Sequence, residues 1–136
     1  MVEIIAGKKG KGKTKYLLDK VNTSVESASG NIVYLDKSQK HMHELSNKVR
    51  LINVGDYPIS NCDEFLGFIS GIISRDFDIT NIFVDGIFKI VGSDNLDGFE
   101  SFLNRLETMS QNFEITFVIS VSIDAETAPD YIKKLA

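Results

Sequence analysis

Five short apolar runs, spaced by segments of helical length, limit the folds open to this chain more than any other feature of its sequence. They are VEIIA (residues 2–6), NIVYLD (31–36), LINVG (51–55), NIFVDGI (81–87) and ITFVIS (115–120). Their side chains are apolar at consecutive positions, so both faces of each strand need cover. That pattern belongs to a parallel sheet whose connections cross over it through helices. The intervening segments supply the helices. Leu17, Leu18, Val21, Val25 and Ala28 recur at helical spacing ahead of Gly30, and Phe65, Phe68, Ile69, Ile72 and Ile73 form a second apolar face. Asn61 and Glu64 stand at capping-box spacing before that second helix. Leu96, Phe99, Leu103, Leu106 and Met109 mark a third helix, and Pro129 suits the first position of a short terminal one. The stretch between residue 36 and Val49 is polar, with some helical character. The expectation is an α/β fold: a three-layer α/β/α sandwich around a mainly parallel five-stranded sheet, built as one domain over residues 1–136.

Composition narrows the function classes. Hydrophobic residues make up 43% and charged residues 25%, ordinary values that argue against disorder, coiled coil and collagen-like chains. The net charge of -4 gives no general attraction to nucleic acid or anionic lipid, so any anion site must be built locally. A single cysteine, Cys62, has no partner for an intramolecular disulfide, and no Cys or His spacing resembles a closed zinc site. Residues 2–6 are too short for a signal-peptide core, and no apolar run approaches the roughly 20 residues that cross a bilayer. These features fit a reducing cytoplasm, with no direct membrane insertion.

The first strand runs straight into GKKGKGKT, residues 7–14. Gly7, four residues, Gly12, Lys13 and Thr14 satisfy the phosphate-loop pattern. Average residue usage yields such a string in a chain of this size roughly 0.5% of the time, and here it falls between a strand and a helix. That placement lets backbone N–H groups and a helix N-terminus converge on phosphate. Gly7, Gly10 and Gly12 free the backbone for a close approach, and the amides of residues 8–14, including those of Lys8, Lys9 and Lys11, enclose a phosphate. Lys13 would reach the β and γ phosphates, and the Thr14 hydroxyl would ligate Mg2+. The side chains of Lys8, Lys9, Lys11 and Lys15 read as solvent-facing charge that raises the local potential. The alternative is that they meet nucleic acid or an acidic protein partner.

A second signal is NIFVDG, an apolar run ending in Asp85. A carboxylate at the carboxyl end of a buried parallel strand can orient Mg2+ or its bound water. By itself an acid in that position reads more often as a turn or cap residue. Beside a phosphate loop, the metal reading is favoured.

With these two motifs the sequence resembles the P-loop NTPases, and its order of segments is similar to their RecA-like branch. The resemblance covers nearly the whole chain, although only the phosphate loop is highly specific. It implies a bound ATP with Mg2+, held by Thr14 and Asp85, and a polar γ-phosphate sensor at Ser120 or Ser122. The chain is also similar to short P-loop proteins of clostridia-like bacteria that carry a label borrowed from the twitching-motility ATPases. Those motors are much longer, with an added N-terminal domain and acidic and histidine motifs for which 136 residues leave no room. Here His41 and His43 read as exposed surface residues.

Departures from the RecA-like pattern bear on catalysis. Asp85 is followed by Gly86 and not by Glu, and the end of the second strand reads LDKSQ, which offers only Asp36 as a carboxylate to activate water. Arg50, Arg75 and Arg105 are isolated, and none stands out as a finger for the γ phosphate. The expectation is a minimal ATPase with slow intrinsic turnover, completed by a homo-oligomer or a protein partner. The alternative is a nucleotide-dependent switch with little chemistry.

Overall fold

The computed structural model describes residues 1–10 and 12–136. Lys11, one of the turn residues assigned to phosphate, lies outside the described residues. Five parallel strands form one sheet: β1 (Val2–Gly7), β2 (Asn31–Asp36), β3 (Val49–Asn53), β4 (Ile79–Asp85) and β5 (Thr116–Ser122). Their spatial order is β1-β5-β4-β2-β3, so the last strand is inserted between the first and the fourth. The helices are α1 (Lys13–Ser27), α2 (Cys62–Arg75), α3 (Ile87–Val91), α4 (Phe99–Phe113) and α5 (Asp130–Lys133).

The two faces of the sheet are covered unequally. Tyr34, Phe83 and Val118 pack against Leu17, Leu18 and Val21 of α1. Alternate residues of the same strands, Val33, Val84 and Ile119 among them, point the other way into a larger core with Phe65 and Ile69 of α2 and Phe102 and Leu106 of α4. Leu17 and Val21 are fully buried. At about 1.5–3 kcal/mol for each such side chain, they hold α1, and with it the end of the turn before it, firmly on the sheet. No helix among the described residues is long and apolar enough to cross a membrane.

The architecture matches the expected sandwich, with local corrections. The third strand is Val49–Asn53 and not 51–55, because the Asn53 side chain accepts from the Gly55 N–H at 3.0 Å and turns the chain. The fourth starts at Ile79, two residues before the apolar run, and ends at Asp85 as that run indicates; Gly86 has φ 75, and the apolar residues after it form the short helix α3. The third long helix begins at Phe99, after Gly98 at φ 77, so Leu96 precedes it. Pro129 is the cap of the terminal helix and not its first residue. The polar stretch before Val49 holds one turn of 3-10 helix, Met42–Glu44.

Candidate functional site

The chain leaves β1 toward one face of the sheet, through α1, and leaves β4 toward the other, through α3 and α4. A crevice at the carboxyl ends of the strands follows from that divergence, and it is where open α/β sheets place ligands. Here it holds the glycine- and lysine-rich turn and a cavity of about 280 Å3. Gly10, Gly12, Lys13, Thr14, Asp85 and Ser120 line it, with Lys9, Gly86, Lys89 and Ser122.

Gly10 and Gly12 have φ 85 and 78, the left-handed region that residues with a Cβ avoid. Gly12 caps α1 without a side-chain bond, and the first turn carries no acid. The helix ladder starts with the Tyr16 N–H donating to the Gly12 carbonyl at 3.1 Å, which leaves the N–H groups of Lys13, Thr14 and Lys15 without helical partners. Gly7, by contrast, is an ordinary strand residue paired with Ser122; its conformation is not left-handed.

The Lys13 ammonium donates to the Lys8 carbonyl at 2.9 Å and so reaches back across the turn. Partial burial, with Lys89 nearby, lowers its pKa from the ordinary lysine value, against the pull of Asp85. Lys8 makes an exposed pair with Asp124 at 3.6 Å, a contact that contributes little in water. Gly7, Lys8, Lys15 and Asp36 do not line the cavity.

Asp85 is the most heavily bonded side chain of the crevice. Its Oδ1 accepts from the Thr14 hydroxyl at 3.3 Å and from the Ser120 hydroxyl at 3.1 Å, and its Oδ2 accepts from the Tyr34 hydroxyl at 2.8 Å. Ser120, almost wholly buried, also accepts from the Gly86 N–H at 2.7 Å. Its proton is therefore committed to Asp85 and its lone pair to the turn after β4, the work of a positioning residue. Burial, reinforced by the neighbouring Asp85 charge, raises the Tyr34 pKa far above the ordinary range, so the hydroxyl stays a donor at every relevant pH.

Parallel register sets Asp36 of β2 beside Asp85 of β4. Burial first, then the Asp85 charge, pushes the Asp36 carboxyl above the ordinary range. His41 corrects the surface assignment: its side chain is only 19% exposed, and its Nδ1 lies 3.2 Å from Glu44 Oε1. Donor atoms of Asp36, His41 and Asp85 lie within 4.8 Å of one another, because the 3-10 turn folds over the end of β2.

Two residues at or next to the crevice had no sequence signal as site residues. Tyr34 sits inside an apolar strand, and only the pairing of β2 with β4 reveals the contact with Asp85. Lys89 lies on the short helix that the apolar run concealed. The arginines stand elsewhere, Arg105 at 3.7 Å from Asp63, and Arg50 and Arg75 near the amino ends of β3 and β4.

The crystal structure of a KaiC-like protein, PH0186, from the hyperthermophilic archaeon Pyrococcus horikoshii OT3 has this architecture. It superimposes with a TM-score of 0.66 at 15% identity, covering 98% of this chain and 67% of that one. The fold is RecA-like. No protein-family model and no curated protein matches the sequence.

Proposed function

We propose that this protein binds Mg-ATP in the crevice at the carboxyl ends of β1, β5 and β4, and hydrolyses it slowly when alone. The observation that carries the reading is the start of α1. A helix N-terminus has a partial positive charge, and lysines placed there are electrostatically unfavourable by themselves. This one is surrounded by Lys8, Lys9, Lys13 and Lys15, has no acid and no side-chain cap, and is set by left-handed glycines. An anion with several oxygens resolves that arrangement, and a polyphosphate has them. The sequence motif and the RecA-like fold point the same way.

Thr14 and Asp85 fit a magnesium ion. Both offer hard oxygen donors, and their oxygens stand 3.3 Å apart, close to the roughly 2.9 Å between neighbouring ligands of an octahedral ion with bonds of 2.0–2.1 Å. When bound, the ion would neutralise charge on the β and γ phosphate oxygens. The chain's own residues do the rest. Tyr34 and Ser120 aim the Asp85 carboxylate, the amides of residues 8–14 receive the β phosphate, and Lys13 swings from the Lys8 carbonyl to the β and γ oxygens. Lys89 adds a second cation. Asp36 lies outside the cavity lining but beside Asp85, their donor atoms within 4.8 Å, and is the carboxylate proposed to take a proton from water.

A second reading, a nucleotide-dependent switch, is favoured by one feature: no arginine lines the cavity, so transition-state charge has no guanidinium to meet it. A homo-oligomer or protein partner that completes the site belongs to the proposal. The twitching-motility label of the clostridia-like proteins plays no part in it.

Titration of a fluorescent ATP analogue, with and without magnesium, tests binding directly. Lys13→Ala removes a charge-assisted contact of about 1.5–3 kcal/mol, so affinity should fall about 10- to 100-fold while the circular dichroism spectrum is unchanged. Unchanged affinity in the folded variant refutes the proposal. Turnover measured over a concentration series, with and without single-stranded DNA, separates ATPase from switch. A specific rate that climbs with concentration and vanishes in Lys13→Ala marks an assembled ATPase; tight magnesium-dependent binding with negligible turnover marks the switch.

A further inference from the structure

Toward the amino ends of the strands, opposite the lysine-rich turn, the outermost strand β3 and helix α2 enclose a groove of about 360 Å3. Its floor is apolar, made by Val33, Ile52, Phe68, Ile72 and Ile79. Gly67 and Gly71 also face it, one helical turn apart. Glycine is unfavourable inside a helix, yet a Cβ at either position would meet nothing within 4 Å. The chain's own packing does not demand these glycines; what their missing side chains do is widen the groove. Arg50 and Arg75, both exposed, stand on its rim, and neither forms an ion pair among the described residues.

Beside this groove stands Phe77, the most exposed of the large apolar side chains at 93%. It occupies the turn from α2 to β4, between Asp76 and Asp78. Asp76 is tied down: one carboxylate oxygen accepts from the Asn31 side chain at 2.9 Å and the other from the Asp78 N–H at 2.9 Å. The Asp78 carbonyl accepts from the Asn31 N–H at 2.6 Å. The turn is therefore anchored, and it holds Phe77 outward. The Asp78 carboxylate is exposed and makes no ion pair among the described residues.

An apolar knob with an acid beside it thus adjoins an apolar groove with a basic rim. A two-fold axis requires such self-complementarity, because the same patch must serve both sides of the contact. We propose that this face makes a homodimer, in which Phe77 of each copy fills the β3–α2 groove of the other and Asp78 of each meets Arg50 and Arg75. Aromatic and arginine anchors are what interface cores use, and the charge pairs would fix the register. The contact would also cover the open edge of β3. It lies away from the crevice, so the inference stands whether or not nucleotide binds there.

Sedimentation velocity over a concentration series tests it with the full chain. The wild type should run at twice the 15.1 kDa monomer mass. Phe77→Asp removes the knob, and Gly71→Leu, whose Cβ meets nothing within 4 Å, fills the groove; each should raise the dissociation constant at least about 30-fold with the circular dichroism spectrum intact. Arg75→Glu should also weaken the dimer, and adding Asp78→Arg to it should recover part of that loss, Arg50 remaining opposed to the new arginine. A wild type that stays monomeric at every concentration overturns the proposal, including the case in which the groove takes an apolar peptide from another protein. So does a dimer that persists undiminished in Phe77→Asp.

Discussion

The helices α1 and α2 begin in opposite ways. At α2 the chain satisfies its own helix end: the Asn61 side chain accepts from the Glu64 N–H at 2.8 Å, and the Glu64 carboxylate accepts from the Ser60 N–H at 2.7 Å and the Ser60 hydroxyl at 2.8 Å. Asp63 and Glu64 place negative charge in the first turn, where the helix dipole favours it. At α1 there is no cap and no acid, and the neighbouring charges are lysines. The first start is finished by its own sequence; the second leaves its first N–H groups without side-chain partners, which is the feature the proposed function rests on. The short helix α3 also starts at a left-handed glycine with no side-chain cap and no acid, so what sets α1 apart is the cluster of lysines at its start.

The sharpest way to break the comparison is Gly12→Ala. A Cβ there meets nothing within 4 Å, so the whole effect is backbone strain at φ 78, about 1–2 kcal/mol. If the left-handed cap aims the amides at phosphate, ATP affinity falls about 5- to 30-fold as the loop resets. Titration of the variant, compared with its thermal unfolding, distinguishes lost aim from general unfolding.

Tyr34→Phe carries the comparison to the opposite wall of the crevice. It removes one of three donors from Asp85 and leaves the rest of the side chain in its apolar seat. With about 1 kcal/mol for the bond, magnesium-dependent ATP affinity should drop about 5-fold, and affinity measured without magnesium should not move. Equal losses under both conditions would mean that Tyr34 supports the turn and not the carboxylate.

Much of this fold was legible in the sequence, and the failures have physical reasons. Strands buried on both faces announce themselves as apolar runs, and the order strand, GKKGKGKT, helix located the crevice at once. The run NIFVDGI marked the end of β4 at Asp85 but not the helix after it, because an apolar sequence does not record that Gly86 adopts φ 75 and starts α3; Lys89 was hidden with it. Tyr34, Asp36 and Asp85 come together through strand register, a property of pairing that no local pattern states. Likewise the groove beside Phe77 exists only once β3 and α2 are adjacent, although Phe77 between two aspartates was visible in the sequence.

At the other helix start, Asn61→Ala should cost about 1 kcal/mol, or about 4 °C in Tm, and leave nucleotide affinity untouched. Glu64 adds a pH signature. Its bonds from the Ser60 hydroxyl and N–H depress its pKa below the unfolded value. The stabilisation is therefore present above the unfolded pKa and lost as pH falls through the folded one. Thermal melts of wild type and Glu64→Gln should converge in acid and separate toward neutrality.

The smallest change sharpens the contrast most, because its two readouts should move in opposite directions. Lys15→Glu puts an acid on the exposed first turn of α1, as Asp63 and Glu64 do on α2. The helix dipole then favours the side chain by about 0.3–1 kcal/mol, and Tm should rise by about 1–3 °C. The same charge opposes a polyphosphate at that helix end, so ATP affinity should fall about 3-fold, and less in high salt, where exposed charges are screened. A variant that is both more stable and an equal binder would show that the lysines around the turn are ordinary surface charge.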